Sequence, residues 1–236
     1  LMLLHGNAST WEMSFSKSIP VLANKYHIIA VGLDGFDPTE ETEYISGKDE
    51  AAKIVTYIQS NYGGELFAIY GSSLGCIPAI YTSISKKVTV RNVILDGAEY
   101  INFGILTGLV AKLQKKIVKK VVRGEAPILL RMMGLQKYTP EELSKMIYAD
   151  ATETTLRNTV YTCTTFFKEC KDFEPQNDVK AACWYGSKEM NMKKSIALLR
   201  TIFPQMEVKA FEGYGHGDIL QHPEQLCAEI TRFVYV

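Results

Sequence analysis

Leu66-Phe67-Ala68-Ile69-Tyr70-Gly71-Ser72-Ser73-Leu74-Gly75-Cys76-Ile77-Pro78-Ala79-Ile80 decides how this chain is read. An apolar, strand-like run enters the pattern G-x-S-x-G and leaves into a small-residue helix, which is the signature of a nucleophile elbow centred on Ser73. A serine that attacks a carbonyl must sit on a turn tight enough to strain its backbone and aim its hydroxyl away from the sheet. Gly71 and Gly75 remove the side chains that would collide in such a turn. The N–H of Leu74, next in the chain and at the start of the helix, then points toward the oxyanion formed during attack. The same geometry selects Ser73 over Ser72.

The 236 residues suffice for one large domain, or one domain with an insertion. The charge is balanced, 26 basic residues against 26 acidic, so a nucleic-acid partner, which calls for a basic excess, is not expected. Five cysteines, at 76, 163, 170, 183 and 227, form no CxxC pair and have no histidine at zinc spacing. They read as reduced thiols in a cytoplasmic protein. The longest apolar stretch, residues 101–111, ends at Lys112 and falls short of the roughly 18 residues of a membrane span, so membrane contact is not expected either. No signal peptide is read at the N-terminus. The chain opens directly on Leu1-Met2-Leu3-Leu4, already strand-like, which leaves room for native residues ahead of Leu1.

Short β-rich runs alternate with helix-period segments, which predicts an α/β fold with a mostly parallel sheet flanked by helices. Strands are expected at residues 1–4, 27–33, 66–70, 90–95, 181–185 and 207–211, and helices at 14–24, 47–62, 74–85, 193–203 and 223–233. One connection breaks the rhythm, because the span from Leu95 to Ala181 is far longer than a crossover needs. It carries its own helix start, Thr139-Pro140-Glu141-Glu142, with a capping threonine and proline in the first turn. Residues 99–178 are therefore expected as a helical insertion over the sheet edge, and residues 1–98 and 179–236 as the core.

A serine nucleophile needs a base, and the chain has four histidines: His5, His27, His216 and His222. His27 falls in an expected buried strand, and His222 stands at a helix start beside Pro223. His216 follows the last strand in Gly213-Tyr214-Gly215-His216-Gly217, a glycine loop free to approach the serine. Its acidic partner is sought after the penultimate strand, where Gly186-Ser187-Lys188-Glu189 makes Glu189 the first choice and leaves Asp96, in Leu95-Asp96-Gly97, as the alternative. Asp218 lies too close to His216 in sequence to reach its far nitrogen. A second oxyanion donor is expected from the turn after the first strand, Leu4-His5-Gly6-Asn7-Ala8, in the N–H of Asn7, with His5 in a structural role.

On these residues, from His5-Gly6 through the Ser73 elbow and Glu189 to Gly215-His216, the chain resembles the α/β-hydrolase superfamily over nearly its whole length. The order nucleophile, acid, histidine is that family's order. The resemblance implies that the insertion is a helical cap or lid. It departs from the family in carrying glutamate where aspartate is commoner and in lacking the strands expected before Leu1. Haloalkane dehalogenases and epoxide hydrolases are disfavoured, since they use an aspartate nucleophile where this chain has Ser73.

The expected activity is a serine hydrolase of the carboxylesterase type, cleaving a small or medium ester or thioester through an acyl-enzyme, with no cofactor and no metal. The alternatives are the same triad used for C–C bond hydrolysis, acyl transfer or aminopeptidase action, and, in another class, a non-catalytic binding protein. The expected partner is a small ester or acyl compound, and a homodimer is left open. Within the insertion, Lys112 to Arg123 places basic residues on one helix face and Val110, Leu113, Ile117 and Val121 on the other. That face reads first as solvated, and otherwise as a basic lid that attracts anionic substrates or an anionic membrane surface. Met132, Met133, Met146, Tyr148, Tyr161, Phe166 and Phe167 are candidates for an apolar pocket beneath.

Overall fold

A computed structural model of the chain describes residues 1–100 and 102–235. Six strands, β1 (Met2–Leu4), β2 (Ile29–Val31), β3 (Glu65–Ser72), β4 (Thr89–Asp96), β5 (Lys180–Gly186) and β6 (Glu207–Phe211), form one sheet. Every neighbouring pair is parallel, in the order β2-β1-β3-β4-β5-β6. All six coincide with expected strands. Both faces of the sheet are covered, so its central strands read as nearly continuous apolar runs.

Alternate residues of these strands feed two cores. Ile69, Val93, Leu95 and Cys183 face one side, against α3 (Gly47–Tyr62), α4 (Cys76–Ser83) and α9 (Met192–Ile202). Tyr70, Ile94, Ala182 and Trp184 face the other, against α1 (Trp11–Phe15), α2 (Ile19–Leu22) and α10 (Pro223–Tyr235). Helix α3 begins where the Ser46 hydroxyl accepts the Asp49 N–H and ends at left-handed Gly63. The helix expected over residues 14–24 is two short ones, because the ring of Pro20 clashes with the carbonyl four residues back, at Ser16, and stops α1 there. His27 is corrected as well. It lies exposed ahead of β2, since β2 is an edge strand of only three half-buried residues.

Between β4 and β5 the chain forms α5 (Thr107–Val122), α6 (Pro127–Met132), α7 (Pro140–Ser144) and α8 (Glu153–Glu169). A full capping box starts α7, in which Thr139 accepts the Glu142 N–H and the Glu142 carboxylate accepts that of Thr139. Helix α5 packs along α8. Leu156 and Phe166 of α8 belong to the main core, Phe166 lying edge-on to Tyr81 of α4. Only α5 to α7, with the loop after α6, close a small cluster of their own around Val121, Leu130, Leu135 and Leu143.

The strand order locates the site. From β1 the chain moves outward to β2, then returns past β1 to β3, so the loops leaving β1 and β3 diverge and open a crevice at their carboxyl ends. The His5-Gly6-Asn7 turn and Ser73 both stand there. All five cysteines are free thiols, and among the described residues no helix is long and apolar enough to cross a membrane.

The fully buried Trp184 packs edge-on against Tyr70, Phe211 and Phe233, and its indole N–H has no hydrogen-bond partner among the described residues. Trp184→Ala is expected to lower unfolding free energy by about 3–5 kcal/mol. Trp184→Phe should cost markedly less, because it keeps most ring contacts and removes an unsatisfied donor. Urea denaturation of the two variants checks the order.

Candidate active site

Ser73 has φ +51°, one of few non-glycine residues of the chain in the left-handed region. Space for it comes from two close approaches. A Cβ on Gly71 would lie 2.5 Å from the Gly75 carbonyl oxygen, and one on Gly75 would lie 2.5 Å from the carbonyl oxygen of Leu4. A Cβ on Gly6 would meet Ser73 Cβ at 3.2 Å. Ser72 is buried while Ser73 is partly open to the crevice, and the chain continues through a 3₁₀ turn, Ser73–Gly75, into α4.

The turn after β1 is held from behind by His5. Its Nε2 accepts the Leu33 N–H at 3.0 Å, so the proton sits on Nδ1 and is donated to the Gly6 carbonyl oxygen at 2.9 Å. Burial lowers its pKa to about 4, which keeps the ring neutral in this role. Among the described residues the Asn7 N–H donates to no other group. It lies in the wall of the same cavity as Ser73.

His216 Nδ1 and Glu189 Oε2 are 2.7 Å apart, and the Glu189 side chain is wholly buried. Its other oxygen, Oε1, accepts the Gly186 N–H at 2.7 Å. Burial works against the imidazolium, but the Glu189 carboxylate outweighs it, with smaller help from Glu99 and Asp96, and holds His216 above its ordinary value of 6.5. Left-handed Gly97 makes the approach possible, because a Cβ there would lie 2.8 Å from the imidazole Cε1. Asp96 is turned away, accepting a 2.7 Å bond from the Tyr70 hydroxyl. Burial raises its pKa to about 7, opposed by that bond.

Ser73 and His216 face one cavity of about 220 Å³, roofed by α5, α6 and α7. Among the described residues no hydrogen bond joins the Ser73 hydroxyl to the imidazole; such bonds often tighten only with substrate present. The cavity is mainly apolar, walled by Ile117, Val118, Val121, Leu129, Met133 and Leu143 among others. Of the seven pocket candidates read from the sequence, Met133 and Met146 line it. Phe166 is instead in the main core and Tyr161 on the surface.

Asp218 is a site residue that sequence reasoning passed over. Fully buried, it accepts hydrogen bonds from the Gly215 N–H, the Tyr138 hydroxyl and the Lys137 ammonium, so it ties the His216 loop to the inserted helices. The Met133 carbonyl accepts the His216 N–H at 2.7 Å, and Gly134 and Gly215 meet backbone to backbone. Spacing alone carried no sign of these links, which join residues about 80 positions apart. Two groups of side chains bring metal-type donor atoms within 4.8 Å of one another. In one, Glu99 joins Glu189 and His216, which are bonded to each other; in the other, the Lys53 ammonium already bridges Asp34, Asp49 and Glu50.

No protein-family model matches the sequence. Solved structures do match. An α/β-hydrolase family protein from Desulfitobacterium hafniense superposes with a TM-score of 0.86 at 24% identity, over 98% of this chain and 94% of that one. MenH from S. aureus gives 0.74 at 15%, over 99% and 92%. A thermophilic esterase from Thermogutta terrifontis gives 0.72 at 15%, over 100% and 90%. The shared architecture is the α/β-hydrolase fold.

Replacing Glu189 by glutamine removes the charge that holds the imidazolium while leaving burial in place. The His216 midpoint, followed by NMR of the ring, is expected above 6.5 in the native protein and below it in Glu189→Gln. An unmoved midpoint would show that the carboxylate does not act on the ring.

Proposed function

We propose that this chain, built on the α/β-hydrolase fold, is a serine hydrolase that cleaves a carboxylic ester or thioester through an acyl-enzyme. The observation that carries the reading is one cavity that holds three things together: a serine on a left-handed turn, an imidazole paired with a buried carboxylate, and an unpaired backbone N–H at Asn7. Each supplies what an acyl transfer needs.

In this reading His216 Nε2 takes the proton of the Ser73 hydroxyl as Oγ attacks the carbonyl carbon. The carbonyl electron pair moves onto oxygen, where the N–H groups of Asn7 and Leu74 stabilise it. Collapse of the tetrahedral species expels the alcohol or thiol, which receives the proton from His216. Water, deprotonated in its turn by His216, attacks the acyl-serine and releases the acid. Glu189 keeps the Nδ1 proton in place and balances the imidazolium, without itself being protonated.

The cavity supports the substrate class. Its small size and apolar walls favour an aliphatic or small aromatic acyl portion over a charged one.

A fluorophosphonate is expected to label the protein once per chain, and Ser73→Ala to abolish both labelling and ester hydrolysis. Glu189→Gln should lower kcat by about 10²–10⁴-fold. Because the base works unprotonated and its pKa is raised, kcat/KM should climb with pH, with its midpoint above 6.5. Labelling that persists in Ser73→Ala, or an acid limb below 6.5, would overturn the assignment.

A further inference from the structure

The roof of the cavity has an outer surface unlike the rest of the chain. Although the protein is neutral overall, residues 100–124 contain six basic side chains and no acidic one. Five of them are exposed, Lys112, Lys116, Lys119 and Lys120 on α5 and Arg123 at its C-cap, and none has an ion-pair partner among the described residues. Immediately before and among them stand aliphatic side chains in water. Ile105 is fully exposed, Leu106 and Leu109 are 54% and 57% exposed, and Leu113 reaches 36%. Leu109, Lys112, Leu113, Lys116 and Lys120 recur every three or four residues and so share one face of the helix. The opposite face is satisfied already, with Ala111, Val118 and Val121 buried and Ile117 lining the cavity.

Two demands meet on this face. The aliphatic cluster calls for an apolar environment, and the cations call for negative charge. A nucleic acid would satisfy the cations and leave Ile105, Leu106 and Leu109 in water. A second copy of the same face would cover the aliphatics but bring five cations against five. An anionic bilayer meets both, with the acyl boundary for the aliphatic end and the headgroups for the lysines.

We propose that the outer face of α5 and the turn before it form a docking surface for an anionic lipid bilayer. It takes up the second sequence reading of this basic face, an anionic membrane surface, over the first, a solvated face, and departs from the expectation of no membrane contact. The surface is independent of how Ser73 reacts, and docking would set the roof of the cavity at the headgroup level.

The test is cosedimentation of the full chain with phosphatidylcholine vesicles, with and without one-third phosphatidylglycerol. Binding is expected to the anionic vesicles, to be weak to phosphatidylcholine alone, and to fall with rising salt. At about fivefold per lysine, Lys112→Glu, Lys116→Glu and Lys120→Glu together should lower partitioning by about 10²-fold or more. Ile105→Ser with Leu109→Ser should lower it by about tenfold or more. All five side chains point outward, so thermal melts should match the native protein; if a variant does not fold, the lipid and salt series on the native chain decides. Equal binding to both vesicles, or none to either, overturns the proposal. So does binding to a duplex oligonucleotide that survives loss of the aliphatic residues, or a dimer lost with them in the absence of vesicle binding.

Discussion

The site depends on two backbones that approach each other with no side chain between them. The start of α4 lies against the end of β1, so close that Gly75 could carry no Cβ without striking the Leu4 carbonyl, and the elbow folds on itself at Gly71 with the same intolerance. Left-handed φ at a serine costs on the order of 1 kcal/mol or more, and it persists only where the surroundings over-determine it. Here the parallel pairing of β1 with β3 does so, in register from Met2 opposite Ile69 to Leu4 opposite Gly71. The same contact brings Gly6 and Asn7 beside Ser73, which is why a strand of three residues, completely buried, matters so much to the site.

Two buried carboxyl groups stand behind the imidazole. Glu189 and Asp96 are both buried near His216, yet they solve their burial differently. Glu189 has a backbone N–H on one oxygen and the imidazole on the other, partners suited to a carboxylate. Asp96 has the Tyr70 hydroxyl, but burial outweighs that bond and raises its pKa to about 7. The nearby Glu189 carboxylate adds to the rise.

Much of the fold was legible because its signals are local. Most strands contain a short apolar run, as Met2–Leu4 and the centres of β3, β4 and β5 do, and α3 announces both ends through Ser46 and Gly63. Ser73, His216 and Glu189 could be singled out because four histidines and a fixed strand order leave few choices. What stayed hidden depends on pairs distant in sequence. Nothing near Gly97 says that an imidazole will lie against it, nor near Asp218 that Lys137 and Tyr138 will reach it. Helix α8 has an amphipathic pattern, but nothing near Phe166 says that Tyr81, Tyr100 and Phe173 will gather around it. Leu113 was assigned to the inner face of α5 by its spacing and is partly exposed, since the apolar arc there is wider than the surface that α8 covers.

The stitching of residues 133–138 to the His216 loop has a mechanical consequence. The Met133 carbonyl holds the His216 N–H, Tyr138 and Lys137 hold Asp218, and Asp218 holds the Gly215 N–H. Any swing of the roof that lifted this segment would draw His216 away from Ser73. The roof is thus pinned like a hinged shutter along its histidine side. Opening the roof at its opposite margin would leave His216 undisturbed beside the cavity it shares with Ser73.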